Sequence, residues 1–295
     1  MMHLQMIGLS IVIAIAARVL SQFIASPAQR LAHRPAHQWS ARWTRALAAF
    51  VAPPLLLLTT AIAIVVMGFS SSRHLDGQLS YLISFGFILS ALALWAKLSW
   101  LSLQMRRHAV HNYPIHTIQT ADGIATSRCI DSAVVYCARV GLWSSELVLS
   151  QGLLDCLDEE HLHAVVAHEA GHAHYRDTFW FLWLGGLRRL TRWLPYTEAL
   201  WQELMLLREI RADRWAAKSV DALVLAESLL SVIQAPLTTT EEICPGFSWP
   251  TPQSRLNQRV DALLGEDVKS LRLLPEHWLA VSLSLTPLLT IPFHY

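Results

Sequence analysis

The sequence predicts a mainly α-helical, multi-span membrane protein that also carries a polar α+β domain. Of its 295 residues, 53% are hydrophobic and only 15% are charged, whereas an ordinary soluble domain carries about 25% charged residues. Three apolar stretches, at residues 4–20, 46–69 and 79–96, are each long enough to cross about 30 Å of hydrocarbon. The formal net charge of +1 supplies no basic field, which argues against a dedicated nucleic-acid-binding protein.

The membrane region is expected to occupy residues 1–104 with three transmembrane helices, and a fourth is expected at 276–295. The first stretch favours a span over a cleaved signal peptide, because no Lys or Arg precedes it and no small-residue cleavage site follows it. Pro53 and Pro54 are expected to kink the second helix. The fourth stretch is short and contains two prolines.

The basic residues predict the orientation in the membrane. Four arginines follow the first span, and Lys97, Arg106 and Arg107 follow the third, whereas the loop between the second and third spans offers only Arg73. Under the positive-inside rule, the first loop and the chain after the third span lie in the cytoplasm. We therefore expect a multi-pass protein of the cell (inner) membrane whose polar stretch, residues 105–275, forms a cytoplasmic domain.

Residues 158–177 predict a helix that carries chemistry, beginning at Asp158 as N-cap with an acidic first turn. His168, Glu169 and His172 form an HExxH motif on this helix. Their i, i+4 spacing places both imidazoles on one face, where they can share one zinc ion. Glu169 falls beside them, placed to take a proton from a metal-bound water. The motif therefore predicts a zincin-like domain with one catalytic Zn²⁺ as cofactor.

A catalytic zinc also requires a third protein ligand. Residues 206–215 read as a second helix on which Glu209 and Asp213 are four apart and share a face. In one interpretation, Glu209 binds the metal and Asp213 supports a ligating histidine from behind. In the other, both carboxylates pair with neighbouring arginines on an exposed helix. The spacing alone leaves both interpretations open.

The stretch between these two helices, residues 178–187, is very apolar but only about ten residues long. A single crossing there would place Glu209 and His168 on opposite sides of the membrane. We therefore expect a hairpin at about residues 178–195 that dips into the near leaflet. Whether it dips or spans is left open by the sequence.

Two strands joined by a turn are predicted upstream, at residues 132–140 and 146–150. We expect residues 146–150 to form an edge strand beside the HExxH helix. Such an edge can bind the backbone of an extended substrate by strand addition. A small sheet that merely covers the helices is the alternative.

Taken together, these residues resemble the membrane-embedded zinc peptidases of the BlaR and MecR type, the antirepressor family of β-lactam sensing. The resemblance runs through residues 141–177, 193–195, 207–216 and 258–264. It implies the following roles: His168, His172 and Glu209 as zinc ligands, Glu169 as catalytic base and Asp213 as support behind a ligand.

Two further residues match the same family. Asp177 matches a residue expected to tie the end of the HExxH helix to its surroundings. Arg259 matches a family arginine that would hold a carboxylate or the oxyanion of the transition state, although a solvated helix arginine is the favoured interpretation. The family's sensors continue into a large extracellular penicillin-binding domain, whereas this sequence stops at Tyr295, so we expect the chain to lack that sensor domain.

The predicted function is a membrane-bound zinc metalloendopeptidase that cleaves a cytosolic protein, with a BlaI-type transcriptional repressor in a signalling pathway as the candidate substrate. One alternative is a membrane quality-control protease of the HtpX type, which would be expected to place two clear spans between its motifs. The other is a non-catalytic membrane sensor or anchor that retains the peptidase fold. Besides a protein substrate, the lipid bilayer is an expected partner, and direct binding to nucleic acid is not expected.

Overall fold

The computed structural model describes residues 2–29, 39–68, 75–120, 123–234, 255–265 and 275–293. The chain divides into two compact units. The first comprises Met1–Ala96, Leu184–Leu204 and Val268–Tyr295. The second comprises Lys97–Trp183 and Met205–Asp267.

The first three helices are long and apolar enough to cross a membrane. They are α1 (Met2–Gln29), α2 (Trp39–Met67) and α3 (Leu75–Asn112). Their candidate spans are His3–Ser21, Ala41–Met67 and Asp76–Asn112. These helices coincide with the three predicted apolar stretches and support integration of the protein into a membrane.

Helix α2 continues through Pro53 and Pro54. Pro54 has no N–H to donate to the carbonyl of Phe50, four residues earlier. Arg18 of α1 supplies a replacement donor, because its Nη2 donates a 3.0 Å hydrogen bond to the Phe50 carbonyl oxygen. The pairing fixes α1 to α2 at a point where the sequence removes a helical hydrogen bond.

The C-terminal segment is not the single α-helix that was predicted for residues 276–295. A nine-residue helix, α10 (Pro275–Leu283), is followed by a 3₁₀-helix at Thr286–Phe293. The two prolines of this segment each remove a backbone donor, which disfavours a continuous α-helix. Thr59 of α2 donates a 2.6 Å hydrogen bond to the Ser284 carbonyl between the two pieces. That this segment crosses the membrane stays a prediction.

The second unit contains a four-stranded sheet. Its strands are β1 (Ile115–Thr120), β2 (Gly123–Ile130), β3 (Cys137–Val140) and β4 (Glu146–Ser150), in the spatial order β1-β2-β4-β3. Strand β4 pairs in parallel with β2 and antiparallel with β3. The sheet therefore has β1 and β3 at its two edges.

The predicted edge role of residues 146–150 is wrong, although β4 has the predicted bounds. Strand β2, which the sequence pattern did not reveal, pairs with the side of β4 that was expected to be free. The other predicted strand, 132–140, is extended only over Cys137–Val140, and before it the Tyr136 N–H donates to the Ser150 hydroxyl at 2.9 Å. Strand β3 is thus the edge strand in the part of the sheet nearest the HExxH helix.

Alternation along β4 separates two apolar layers. Leu147 and Leu149 pack into a cluster with Val166 of the HExxH helix, and Val148 packs on the other face with Ala109 of α3. Between the sheet and α10, the described residues form α4 (Gln151–Cys156), α5 (Glu159–His174), α6 (Asp177–Leu190), α7 (Thr197–Ala216), α8 (Ala222–Gln234) and α9 (Leu256–Leu264). The prediction of a mainly α-helical protein with a small sheet is confirmed.

The apolar stretch at residues 178–187 lies within α6, and α7 begins at Thr197 after a six-residue turn. The turn between the two helices lies near the end of the hairpin predicted at about residues 178–195, and α7 continues well beyond it. The depth to which this hairpin enters a membrane stays a prediction.

Candidate metal centre

Helix α5 begins as the sequence predicts. The Asp158 carboxylate accepts the backbone N–H of His161 at 2.9 Å and caps the helix. Ten residues later the helix buries His168 and Glu169. The His168 and His172 Nε2 atoms lie 3.1 Å apart, and one ligand atom from each of these two histidines and Glu169 falls within 4.8 Å of the others.

Helix α7 brings a carboxylate to the same point. One oxygen of Glu209 lies 3.4 Å from His168 Nε2, and the other lies 3.7 Å from His172 Nε2. Glu209 is only 7% exposed and Asp213 only 1%. The exposed position that the alternative expected is therefore wrong, although Glu209 does pair with Arg208. The structure assembles the three residues that the sequence grouped as candidate ligands.

The glycine of the HEAGH sequence allows this close approach of α5 to α7. A Cβ atom at Gly171 would lie 3.1 Å from the Cα of Ala212, closer than side-chain and backbone carbons normally pack. Ala212 is itself fully buried. Two small residues at the crossing thus place Glu209 beside the histidines.

Each histidine contacts a carboxylate through its outer nitrogen. His168 Nδ1 lies 2.8 Å from an Asp213 oxygen, and His172 Nδ1 lies 2.8 Å from an Asp177 oxygen. A carboxylate beside Nδ1 favours a proton on that nitrogen and leaves Nε2 to face a metal, which is the usual arrangement behind metal-binding histidines. Asp177, predicted to tie down the helix end and to support the site from behind, contacts His172 directly.

Arg259 of α9 is 5% exposed, so its interpretation as a solvated helix arginine is wrong. Its Nε and Nη2 donate to the two oxygens of Asp213 at 2.8 and 2.7 Å. Its Nη1 also lies 3.5 Å from a Glu209 oxygen. Arg259 thus holds carboxylates of the site, which is one of the roles that the family resemblance implied.

Three more arginines touch the site. The sequence offered Arg208 and Arg211 only as ion-pair partners on an exposed helix, and it did not single out Arg139. Arg208 donates two hydrogen bonds to Glu209, at 2.9 and 2.7 Å. Arg211 donates to Asp177. Arg139 of the edge strand β3 donates from Nε to the Glu169 carbonyl oxygen at 2.8 Å. The pairing across 30 residues of sequence separation has no local signal, so spacing could not have identified Arg139.

The pKa shifts show that the site attracts positive charge. Burial lowers the pKa of His168, but the charge of Asp213 and hydrogen bonds to Asp213 and Glu209 outweigh it and raise that pKa to about 9. Burial also opposes the charged form of His172, yet Glu209 and Asp177 raise its pKa. The carboxylates respond in the opposite sense: burial raises the pKa of Glu209, but Arg208 and the two histidines bring it well below its ordinary value.

The donor set fits a zinc ion. Two imidazoles and one glutamate are an established ligand set for catalytic zinc. Tetrahedral ligands at about 2.0–2.1 Å from zinc lie about 3.3–3.4 Å from one another, close to the 3.1, 3.4 and 3.7 Å separations described above. The negative potential that raises the histidine pKa values favours a cation at the same place.

Comparison with known proteins agrees with this chemistry. Residues 129–243 match Peptidase family M48. The match covers the region from β2 to beyond α8, including both helices of the site. It supports a membrane-associated metallopeptidase of the zincin type, whereas the narrower likeness to BlaR and MecR peptidases rests on the motifs alone. No curated protein and no solved structure matches the chain.

Proposed function

We propose that this protein is a membrane-bound, zinc-dependent endopeptidase that cleaves protein substrates. One observation carries the proposal: the Nε2 atoms of His168 and His172 and the carboxylate of Glu209 converge within 3.7 Å of one another beside Glu169. Two histidines and a carboxylate would hold the metal. Glu169 follows the first histidine of the motif and is the natural proton acceptor of an HExxH site.

The roles of the side chains follow from their contacts. A bound zinc ion would lower the pKa of a water molecule and polarise the scissile carbonyl. Glu169 would take the proton from that water and pass it to the leaving amine. Asp177 fixes the His172 imidazole by accepting from its Nδ1 atom. Asp213 lies 2.8 Å from His168 Nδ1 as an ion-pair partner, and Arg259 keeps Asp213 in place.

Strand β3 is the element best suited to bind an extended substrate. It is an edge of the sheet, and its Arg139 donates a hydrogen bond to the Glu169 carbonyl oxygen. Backbone hydrogen bonds to an edge strand bind a peptide without requiring a particular side-chain sequence. This proposal replaces β4, whose two sides are both paired within the sheet.

We further propose that the substrate is a cytosolic protein, with a BlaI-type transcriptional repressor as the specific candidate in a signalling pathway. The motif resemblance to the BlaR and MecR peptidases and the arginine-rich loops support this choice. A broader quality-control protease is the second candidate, and the match to Peptidase family M48 is compatible with it. A non-catalytic anchor is disfavoured, because the retained Glu169 has no evident use in a scaffold.

The test combines metal analysis with proteolysis. The full chain is purified in nanodiscs and its zinc content is measured by mass spectrometry, alongside cleavage of candidate cytosolic proteins. We expect Glu169→Gln to retain about one zinc and lose cleavage, and Glu209→Ala to lose zinc as well. Glu160→Gln is the matched control, because Glu160 lies exposed in the first turn of the same helix.

Each outcome has a distinct meaning. Normal zinc affinity in Glu209→Ala would remove that residue from the ligand set. Cleavage that survives in Glu169→Gln would show that Glu169 is not the catalytic base. A wild-type protein that binds zinc but cleaves neither repressor candidates nor unfolded proteins would favour the non-catalytic membrane anchor.

A further inference from the structure

Arg139 of strand β3 joins three parts of the second unit. Its Nε donates to the Glu169 carbonyl oxygen of α5 at 2.8 Å. Its Nη1 donates to the carbonyl and the hydroxyl oxygen of Ser145, each at 3.3 Å, in the turn between β3 and β4. Burial lowers the pKa of Arg139, and the charge of Glu169 opposes that shift. One side chain thus connects the edge strand, its turn and the residue proposed as base.

The hydrogen bonds of β3 show which of its backbone groups face the open edge of the sheet. The Ser150 N–H donates to the Tyr136 carbonyl at 3.0 Å, so these two residues form a hydrogen-bonded pair. In an antiparallel ladder, such pairs alternate with pairs whose N–H and C=O groups point outward. With the register of β3 on β4, Cys137 and Arg139 belong to the outward-pointing pairs. Their backbone groups are therefore the ones that a peptide added at this edge would meet.

The side chains of the same two residues face α5. Cys137 packs against the apolar cluster that contains Val166 of α5, and Arg139 bonds to Glu169. Val166 and Glu169 are three residues apart and share a face of the helix. Two attachments, two residues apart on β3, fix the distance and the direction of the strand relative to the HExxH helix. The second attachment is made at the backbone of Glu169 itself.

We propose that Arg139 is a positioning residue: it fixes the edge of β3 to the backbone of Glu169, so that a peptide bound along β3 is presented to the metal and the base. Hydrolysis requires the scissile carbonyl to lie near both groups, and a displacement of about 1 Å can cost a reaction about 100-fold in rate. The inference rests on the proposed peptidase function. It concerns the geometry of binding, so it can be measured without turnover.

The test compares two metal-binding probes, acetohydroxamate and trileucine hydroxamate. The small probe reaches only the metal and its immediate surroundings, whereas the peptide probe also pairs with β3. Binding of each probe to the zinc-loaded full chain in nanodiscs is measured by isothermal titration calorimetry. Arg139→Gln should weaken binding of trileucine hydroxamate by about tenfold or more and leave binding of acetohydroxamate unchanged.

Arg128→Gln is the matched control. Arg128 also donates to a backbone carbonyl, that of Tyr113 at 3.2 Å, but it lies on β2. Both probes should bind this variant as they bind the wild type. Arg139→Lys keeps the charge but loses the planar fork that reaches two partners. It should weaken the peptide probe severalfold, and it keeps the test valid if Arg139→Gln fails to fold.

The two probes separate failure of the inference from failure of the proposed function. A wild-type chain that binds neither probe would reject the zinc centre, and the inference with it. Equal binding of trileucine hydroxamate by the wild type and both Arg139 variants would overturn the positioning role alone. Equal losses of both probes in Arg139→Gln would also overturn it, because the arginine would then support the metal and not the strand.

Discussion

Asp213 connects His168, a proposed zinc ligand, with the buried Arg259. It lies 2.8 Å from His168 Nδ1 and accepts two hydrogen bonds from Arg259, while only 1% of it is exposed. Burial raises its pKa, but the charge of Arg259 outweighs that effect and lowers the pKa. Asp213 is therefore held as a carboxylate that can fix the histidine's proton on Nδ1.

We predict that Asp213→Asn weakens zinc binding by about 10–100-fold, the usual effect of removing a carboxylate behind a metal-binding histidine. The neutral amide also leaves the buried charge of Arg259 without its partner, so stability should fall as well. Competition with a chelator of known affinity measures the first effect. Asp155→Asn, at an exposed position of α4, is the control, and equal zinc affinity in the two variants would contradict the role of Asp213.

At the scale of secondary-structure elements, the crossing of α5 and α7 determines whether the site forms. Gly171→Ala should lower both stability and zinc affinity, because the new Cβ would meet Ala212 at 3.1 Å and push the helices apart. Alanine is the better helix former by about 1 kcal/mol, so any loss must come from the crossing. Gly86→Ala, which adds its Cβ where nothing lies within 4 Å, is the matched control. Thermal unfolding that improves equally in both variants would reject this explanation.

The contact between α1 and α2 yields a second prediction at the scale of secondary-structure elements. Arg18→Leu should destabilise the protein by about 1–3 kcal/mol, because it leaves the buried Phe50 carbonyl without its donor. Adding Pro54→Ala restores a backbone N–H four residues after Phe50 and should recover part of that loss. Thermal unfolding in nanodiscs of the wild type, both single variants and the double variant measures the coupling. Strictly additive effects would show that the arginine does not replace the hydrogen bond that the proline removes.

Helices α5 and α7 and strand β4 show how much of the fold and of the site the sequence could predict. Helix α5 was predicted together with its N-cap, because the cap, the acidic turn and the HExxH spacing are all local signals. The position of Glu209 was left open, since the spacing on α7 fits a buried or an exposed helix equally well and only the packing at Gly171 decides. The edge role of β4 was predicted wrongly because pairing with β2 is a non-local contact.

At the scale of the whole chain, the two halves of the site come from separate segments of the second unit. The chain leaves this unit after Trp183, contributes Leu184–Leu204 to the first unit and returns at Met205. The helix bearing His168 and the helix bearing Glu209 are thus joined by a segment that packs with the candidate membrane helices. Only residues 184–187 of the apolar stretch 178–187 lie on this path, and whether the stretch dips into a membrane stays a prediction.

The orientation of the whole chain in the membrane sets which substrates it can reach. Three candidate spans precede β1, so three crossings would place the N-terminus and the site-bearing second unit on opposite sides of the membrane. The basic residues flanking the first and third spans predict that the second unit lies in the cytoplasm. We predict that alkaline phosphatase, which is active only outside the cytoplasm, is inactive when fused after Asn112 and active when fused after Arg73. A green fluorescent protein at the same two positions should give the reverse pattern. An active phosphatase after Asn112 would place the HExxH helix outside and exclude cytosolic repressors as substrates, while leaving the zinc centre itself untouched.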